Sequence, residues 1–140
     1  MPINSASCNF NWMPEDFSLK DLNNNTFNFY DCFGEKGLVV MFICNHCPYV
    51  KSIEKKIKYE TDMLLSIGVK SVAIMSNDQE AYIEDSTDRL KKQSSDNNFN
   101  FPYLIDFDQS IAKKFQALCT PEFFGFNSDK SLQYRGRLDS

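Results

Sequence analysis

Leu38-Val39-Val40-Met41-Phe42-Ile43-Cys44-Asn45-His46-Cys47-Pro48 is the stretch whose reading decides the fold. Its first six residues are an unbroken apolar run, the pattern of a strand buried on both faces. A charged segment with helical spacing follows, so the two cysteines occupy the passage from a central strand into a helix. Two thiols three positions apart at a helix N-terminus meet the needs of thiol–disulfide exchange. The expectation is that the first, Cys44, is partly exposed at the positive helix end, which favours the thiolate, and that the second, Cys47, can close a ring with it. A thiol so placed can have its pKa lowered from ~8.5 into the range of roughly 3.5–7.5. His46 stands between them, where a partly protonated imidazole would support the thiolate further.

Working outward, the helix spans Pro48 to Ser66, with Val50, Ile53, Ile57 and Leu64 on one face. Lys51, Glu54, Lys55, Lys58 and Asp62 read as its solvated side, and Pro48 is tolerated because first-turn N–H groups lack intrahelical partners. Gly68 ends the helix and Val69 to Met75 is a second buried strand, followed by a loop at Ser76-Asn77-Asp78. A shorter helix is expected from about Ser86 to Ser94, capped by Asp85 or Ser86. Phe101 to Ile105 is a third strand, and Asp108 caps a helix carrying Ile111, Phe115 and Leu118. Upstream, Phe17 and Leu19 alternate with polar neighbours, as do Phe27 and Phe29, and Asp21 to Asn25 has turn chemistry, so a β-hairpin leads in. Downstream, Glu122–Phe126 and Leu132–Arg137 flank Asn127-Ser128-Asp129-Lys130 as a closing hairpin. Residues 1–13 form an irregular segment in which Trp12 packs as a lid on the core. The whole chain of 140 residues reads as a single α/β domain: a central mixed β-sheet with helices on both faces and its ligand site at the carboxyl ends of the strands.

The formal charge of -4, without a basic cluster, argues against nucleic acid and anionic membranes as partners. No apolar run approaches the ~20 residues needed to span a bilayer. The first residues carry neither a basic nor an apolar leader region, so a soluble, cytoplasmic protein is expected. In a reducing compartment five cysteines do not read as a structural disulfide framework, and an odd number leaves at least one free in any intrachain pairing.

With those elements in place the chain resembles the thioredoxin-fold superfamily, and within it the redoxin branch of alkyl hydroperoxide reductase/thiol-specific antioxidant-like proteins that carry a Cys-x-x-Cys. The resemblance covers nearly the whole chain: Pro14-Glu15-Asp16-Phe17-Ser18-Leu19 resembles the opening strand, residues 38–48 the active-site segment, and Cys119-Thr120-Pro121-Glu122-Phe123-Phe124 the cis-proline segment. Tyr134-Arg135-Gly136-Arg137-Leu138-Asp139 resembles the last strand. The resemblance implies that Cys44 attacks, that Cys47 is the buried resolving thiol, and that Pro121 is a cis-proline beside the disulfide. It also implies that Thr120 presents its backbone to a bound substrate strand, with Pro48 and Asn45 bordering the same surface. His46 holds a position that the family associates with a more oxidising couple. Three departures stand out. Leu38 occupies the place where thioredoxin keeps a buried carboxylate that takes protons from the resolving cysteine, so another group or water must do that job. Ile43 replaces the tryptophan before the motif. The chain also stops at Ser140, where the family continues into a further helix, so either that C-terminal helix is missing from a fragment or one sheet face is less covered.

The expected activity is therefore thiol–disulfide exchange by the Cys44-Asn45-His46-Cys47 couple, with no cofactor and no metal. The expected partners are a disulfide-containing protein or small thiol substrate and a thiol reductant system, and the expected state is a monomer or weak homo-oligomer. Cys119, beside Thr120-Pro121, is either an apolar filler or a third redox thiol, whereas Cys8 and Cys32 read as bystanders. Asn77 and Asp78 either border the groove or form a plain loop. The enzymatic rival is a peroxiredoxin-like peroxidase with Cys44 peroxidatic and Cys47 resolving. Met41, where true peroxiredoxins keep a threonine, weighs against it. A zinc or copper module is the binding-class rival, and a chain with a single histidine and no second Cys-x-x-Cys is short of ligands for it.

Overall fold

The apolar run at residues 38–43 builds the central strand of a mixed sheet. In the computed structural model, which describes residues 10–117 and 120–136, the elements in chain order are β1 (Ser18–Asp21), β2 (Thr26–Asn28), β3 (Gly37–Phe42), α1 (Pro48–Ser66), β4 (Val69–Met75), α2 (Thr87–Asp96), β5 (Tyr103–Ile105), α3 (Ser110–Phe115), β6 (Glu122–Asn127) and β7 (Leu132–Gly136). Single 3-10 turns lie at Phe29–Cys32 and Ile83–Asp85. Among the described residues seven strands make one sheet in the order β2-β1-β5-β4-β3-β6-β7. β3 pairs parallel with β4 and antiparallel with β6, and β5 joins β4 in parallel and β1 antiparallel. The expected leading and closing hairpins are β1–β2 and β6–β7.

Alternation along β3 serves two cores. Leu38, Val40 and Phe42 point into one that α3 covers through Ile111 and Phe115. Met41, followed by Ile43 and Cys44 beyond the strand, faces the other, closed by Val50, Ile53 and Ile57 of α1 and Leu90 of α2. That is why the strand reads as continuously apolar: neither face meets water. Phe115 is ringed by Trp12, Phe17, Phe29, Phe42, Phe124 and Phe126 at centroid separations of 5.1 to 6.2 Å, mostly edge-to-face.

Several expectations are corrected by the packing. Of the two caps expected for α2, Ser86 serves, its hydroxyl accepting the Arg89 N–H, but the helix runs past Ser94 to Asp96. β5 is confined to Tyr103–Ile105. At α3 the residue before the helix is Gln109 in a left-handed conformation, and the carboxylate that caps the helix is not that of Asp108 but of the fully buried Asp106, which accepts from the Ile111 and Ala112 amides. Asp108 is exposed, and hydrogen bonds from the Ser110 hydroxyl and then from the Ser110 amide lower its carboxyl pKa. α3 ends at Phe115, and Leu118 lies outside the described residues, as do Cys8, Cys119 and residues 137–140. Glu54, expected on the solvated side of α1, is buried. Its carboxylate accepts from Gln93 and Asn97 and pairs with Lys51, so a helix face that looks charged in sequence carries a polar core contact.

Candidate functional site

Where α1 begins decides what the two cysteines can do. Proline is favoured at the first helical position because its missing N–H has no partner there in any case. Pro48 takes that position, which makes Cys47 the N-cap. The whole Cys44–Cys47 motif therefore lies ahead of the helix, and the chain stays extended through Ile43, whose amide still bonds Ile74 O at 3.2 Å. Cys44 is thus the last residue of the buried run and is 0 % exposed. Cys47 is half-buried at the end of the 19-residue α1, whose first turn holds no acidic group. Helix dipoles favour negative charge at such a position. The expected exposures are therefore reversed: the first thiol is buried, and the second is the one that solvent can reach.

Both sulfurs converge on one residue. Cys44 Sγ stands 3.5 Å from Thr120 Oγ1, and the Cys47 thiol donates to the Thr120 carbonyl at 3.8 Å. The next peptide bond, Thr120-Pro121, is cis, as the resemblance implies, and Pro121 is buried. Cys44, Cys47, Thr120 and Pro121 are thereby gathered at the carboxyl end of β3 and the start of β6. Burial raises the Cys44 pKa above its ordinary value. The Thr120 hydroxyl and the Cys47 amide, both hydrogen-bonded to the sulfur, pull it down, while the Asp85 carboxylate pushes it up.

His46 is fixed by a partner that the sequence did not reveal. Its Nδ1 lies 2.5 Å from Asp85 Oδ2, and Asp85, in the 3-10 turn before α2, is 0 % exposed. The same carboxylate accepts the Asn45 amide at 2.6 Å, the His46 amide at 3.1 Å and Asn77 Nδ2 at 3.2 Å. Tyr82 stacks on the imidazole with centroids 4.2 Å apart and planes 9° apart. Asn77 thus belongs to the site rather than to a plain loop. Asn45, expected at the substrate surface, is half-buried: Nδ2 donates to the carbonyls of Glu84 and Arg89, and Oδ1 accepts from Lys51. Pro48 remains exposed beside Cys47. Behind Cys44, Gln93 donates to the Cys44 carbonyl at 3.1 Å and to Glu54 at 2.8 Å, and accepts from the Tyr103 hydroxyl at 2.7 Å. In front, a cleft of about 460 Å³ opens between His46, Asn77, Thr120 and Lys113.

Among the described residues, Cys44, His46 and Asp85 are the one cluster with three metal-binding atom types within 4.8 Å of one another. Its geometry is that of a hydrogen bond rather than of a coordination shell. Two ligands of one tetrahedral ion stand ~3.3 Å apart or more, and both Asp85 oxygens already receive N–H donors. What the cluster can do is hold and move a proton next to a sulfur.

Nothing in hydrophobic periodicity singles out Asp85, Gln93 or Tyr82, because each acts through contacts made more than 35 positions away in the chain. The one available signal was chemical: an imidazole lodged in a buried turn needs a partner.

Comparison with known proteins agrees with this architecture. Residues 13–135 match the AhpC/TSA family. An uncharacterized conserved protein from Geobacillus kaustophilus is 37 % identical, with a TM-score of 0.92 over 100 % of this chain and 75 % of that one. A hypothetical protein from Sinorhizobium meliloti 1021 is 34 % identical, with a TM-score of 0.90 over 96 % and 73 %. A secreted Mycobacterium tuberculosis disulfide oxidoreductase homologous to E. coli DsbE shares the fold at 19 % identity, with a TM-score of 0.70 over 84 % and 80 %. Among curated proteins nothing matches. No described helix is long and apolar enough to cross a membrane.

Proposed function

The chain belongs to the AhpC/TSA family, and from that premise we propose that it is a thiol–disulfide oxidoreductase whose redox couple is Cys47 and Cys44. The observation that carries the reading is the convergence of both sulfurs on Thr120, one against its hydroxyl and the other against its carbonyl, directly before the cis Pro121. Burial sets the order of events. The half-buried Cys47 meets the substrate and the buried Cys44 follows. Cys47 thiolate attacks a substrate disulfide, forming a mixed disulfide and releasing one substrate sulfur as thiolate. Cys44 thiolate then attacks Cys47 Sγ; the Cys44–Cys47 bond forms, the bond from Cys47 to the substrate breaks, and the second substrate sulfur leaves as thiolate and is then protonated. Two electrons pass from the protein dithiol to the substrate, and an external thiol reductant restores the dithiol. The substrate class is a disulfide-bearing protein or small molecule, and the compartment that suits this cycle is the cytoplasm.

Equilibration in glutathione redox buffers, acid quenching and peptide mapping test this reading. The expected result is a single reversible two-electron transition joining Cys44 to Cys47, with Cys119 left reduced. Absence of that bond at any potential, or stoichiometric zinc in the purified protein, would overturn it. Rapid hydroperoxide consumption dependent on Cys47 would move the assignment to peroxide reduction by the same two thiols.

A further inference from the structure

Cys44 presents a chemical difficulty that its surroundings resolve. A sulfur with no solvent exposure must lose its proton before it can attack Cys47, and bulk water cannot collect that proton directly. Among the described residues, the groups facing Cys44 are Cys47, Thr120, His46 and Asp85 on the cleft side, and the Tyr103 phenol, with Glu54 and Lys51 beyond it, on the α1 side. Burial, more than the nearby charges, raises the Tyr103 pKa well above its ordinary value, and its hydroxyl donates to Gln93, so it is a donor and not a base. Glu54 already accepts from Gln93, Asn97 and Lys51. That leaves the His46–Asp85 pair. The Cys44 sulfur, a His46 ring nitrogen and an Asp85 oxygen lie within 4.8 Å of one another.

We propose that Asp85 is a positioning residue that locks His46 into the orientation and tautomer in which it takes the Cys44 proton, so that the pair drives the second, resolving half of the exchange. The Asp85 carboxylate accepts from Nδ1, which assigns the proton of the neutral ring to Nδ1 and leaves Nε2 as the acceptor. When Cys44 reacts, its S–H proton passes to the ring, the imidazolium is held against Asp85, and the sulfur electron pair forms the bond to Cys47. The departing substrate sulfur leaves as thiolate, and the proton returns to it or to solvent through the cleft beside His46. The amides of Asn45 and His46 on Asp85 keep the carboxylate in register with the motif backbone, and Tyr82 stacks on the ring that His46 presents. The His46–Asp85 pair thereby takes up the task left open by Leu38, with Asp85 reaching Cys44 from a turn more than 40 positions away in the chain.

This rests on the disulfide-exchange reading, and the experiment separates the two. A mixed disulfide is preformed on Cys47 with a small chromogenic aromatic thiol, and release of that thiol by Cys44 is followed by stopped flow across pH. Formation of the mixed disulfide is timed separately. Asp85→Asn and, with the carboxylate left in place, His46→Gln should leave formation within about threefold of the parent protein. Both should slow release by about 100-fold near pH 7, the deficit closing as pH rises and hydroxide replaces the ring as proton acceptor. Unchanged release with an unchanged pH profile in His46→Gln overturns the relay while leaving the exchange reading intact. Equal slowing of both steps at every pH assigns the pair a purely structural role and overturns it as well. Parent protein that never releases the thiol removes the exchange reading itself.

Discussion

Gln93 connects the buried polar groups behind the motif, and replacing it by leucine is the sharpest test of how the fold holds Cys44. Leucine is close in size, so the effect reports lost hydrogen bonds rather than a cavity. In Gln93→Leu the Tyr103 hydroxyl loses its acceptor and the Cys44 carbonyl loses its donor, while Glu54 keeps Asn97 and Lys51. Burial keeps the Tyr103 phenol protonated, so an orphaned donor is what the variant leaves behind. Each buried unsatisfied group costs about 1–3 kcal/mol, so the two together cost about 2–6 kcal/mol. That is a large share of the roughly 5–15 kcal/mol that stabilises a single domain. Urea unfolding under reducing conditions should lower the midpoint by about 2 M at an m value of ~2 kcal/mol/M. The second arm is Tyr103→Phe. Alone it should cost ~1 kcal/mol, but in the Gln93→Leu background it should be neutral or stabilising, because it removes the orphan. A loss under ~1 kcal/mol for Gln93→Leu, or strict additivity with Tyr103→Phe, would refute the network as the clamp on Cys44.

Brief iodoacetamide treatment of native reduced protein at pH 8 should label Cys47 well before Cys44 or Cys32. Burial and then Asp31 push the Cys32 thiol up to about 11, and preferential labelling of Cys32 would contradict the burial argument. Because Cys32 holds its proton to about 11 in the fold but only to 9.0 otherwise, the native state binds more protons between those values. Its contribution to stability is whole below pH 9 and is lost as pH rises through 11. Cys32→Ala should accordingly flatten the alkaline limb of the unfolding midpoint, and an unaltered limb would argue against it. Phe115→Ala, at the centre of the aromatic cluster, should cost about 3–5 kcal/mol, whereas Phe107→Ala at a 72 % exposed position should stay within about 0.5 kcal/mol; comparable losses in the two would show the core wrongly placed.

Where local pattern carries the information, sequence and structure coincide. The β3 run, the span of α1 from Pro48 to Ser66 and β4 from Val69 to Met75 emerge as read, since each has an apolar period or a terminator of its own. The motif shows where local reading stops short. A pair of cysteines before a helix can lie inside its first turn or ahead of it, and these alternatives exchange which sulfur is buried. Pro48 held the answer, because a proline favours the first helical position and so makes its predecessor the cap. Glu54 read as surface because its partners Gln93 and Asn97 are distant in sequence, and a carboxylate is buried only when such partners meet it. Asp85 was legible only as a helix cap for the same reason. Its role depends on a turn 39 positions from His46 folding back over the motif.

The order of the two thiols is the central claim, and a pair of trap variants reads it most directly. Cys44→Ser and Cys47→Ser are each mixed with a disulfide substrate, quenched in acid and examined by intact mass and peptide mapping. The account predicts a stable mixed disulfide on Cys47 in Cys44→Ser and no accumulating adduct in Cys47→Ser. A stable adduct on Cys44 in Cys47→Ser, with none on Cys47 in Cys44→Ser, would contradict it.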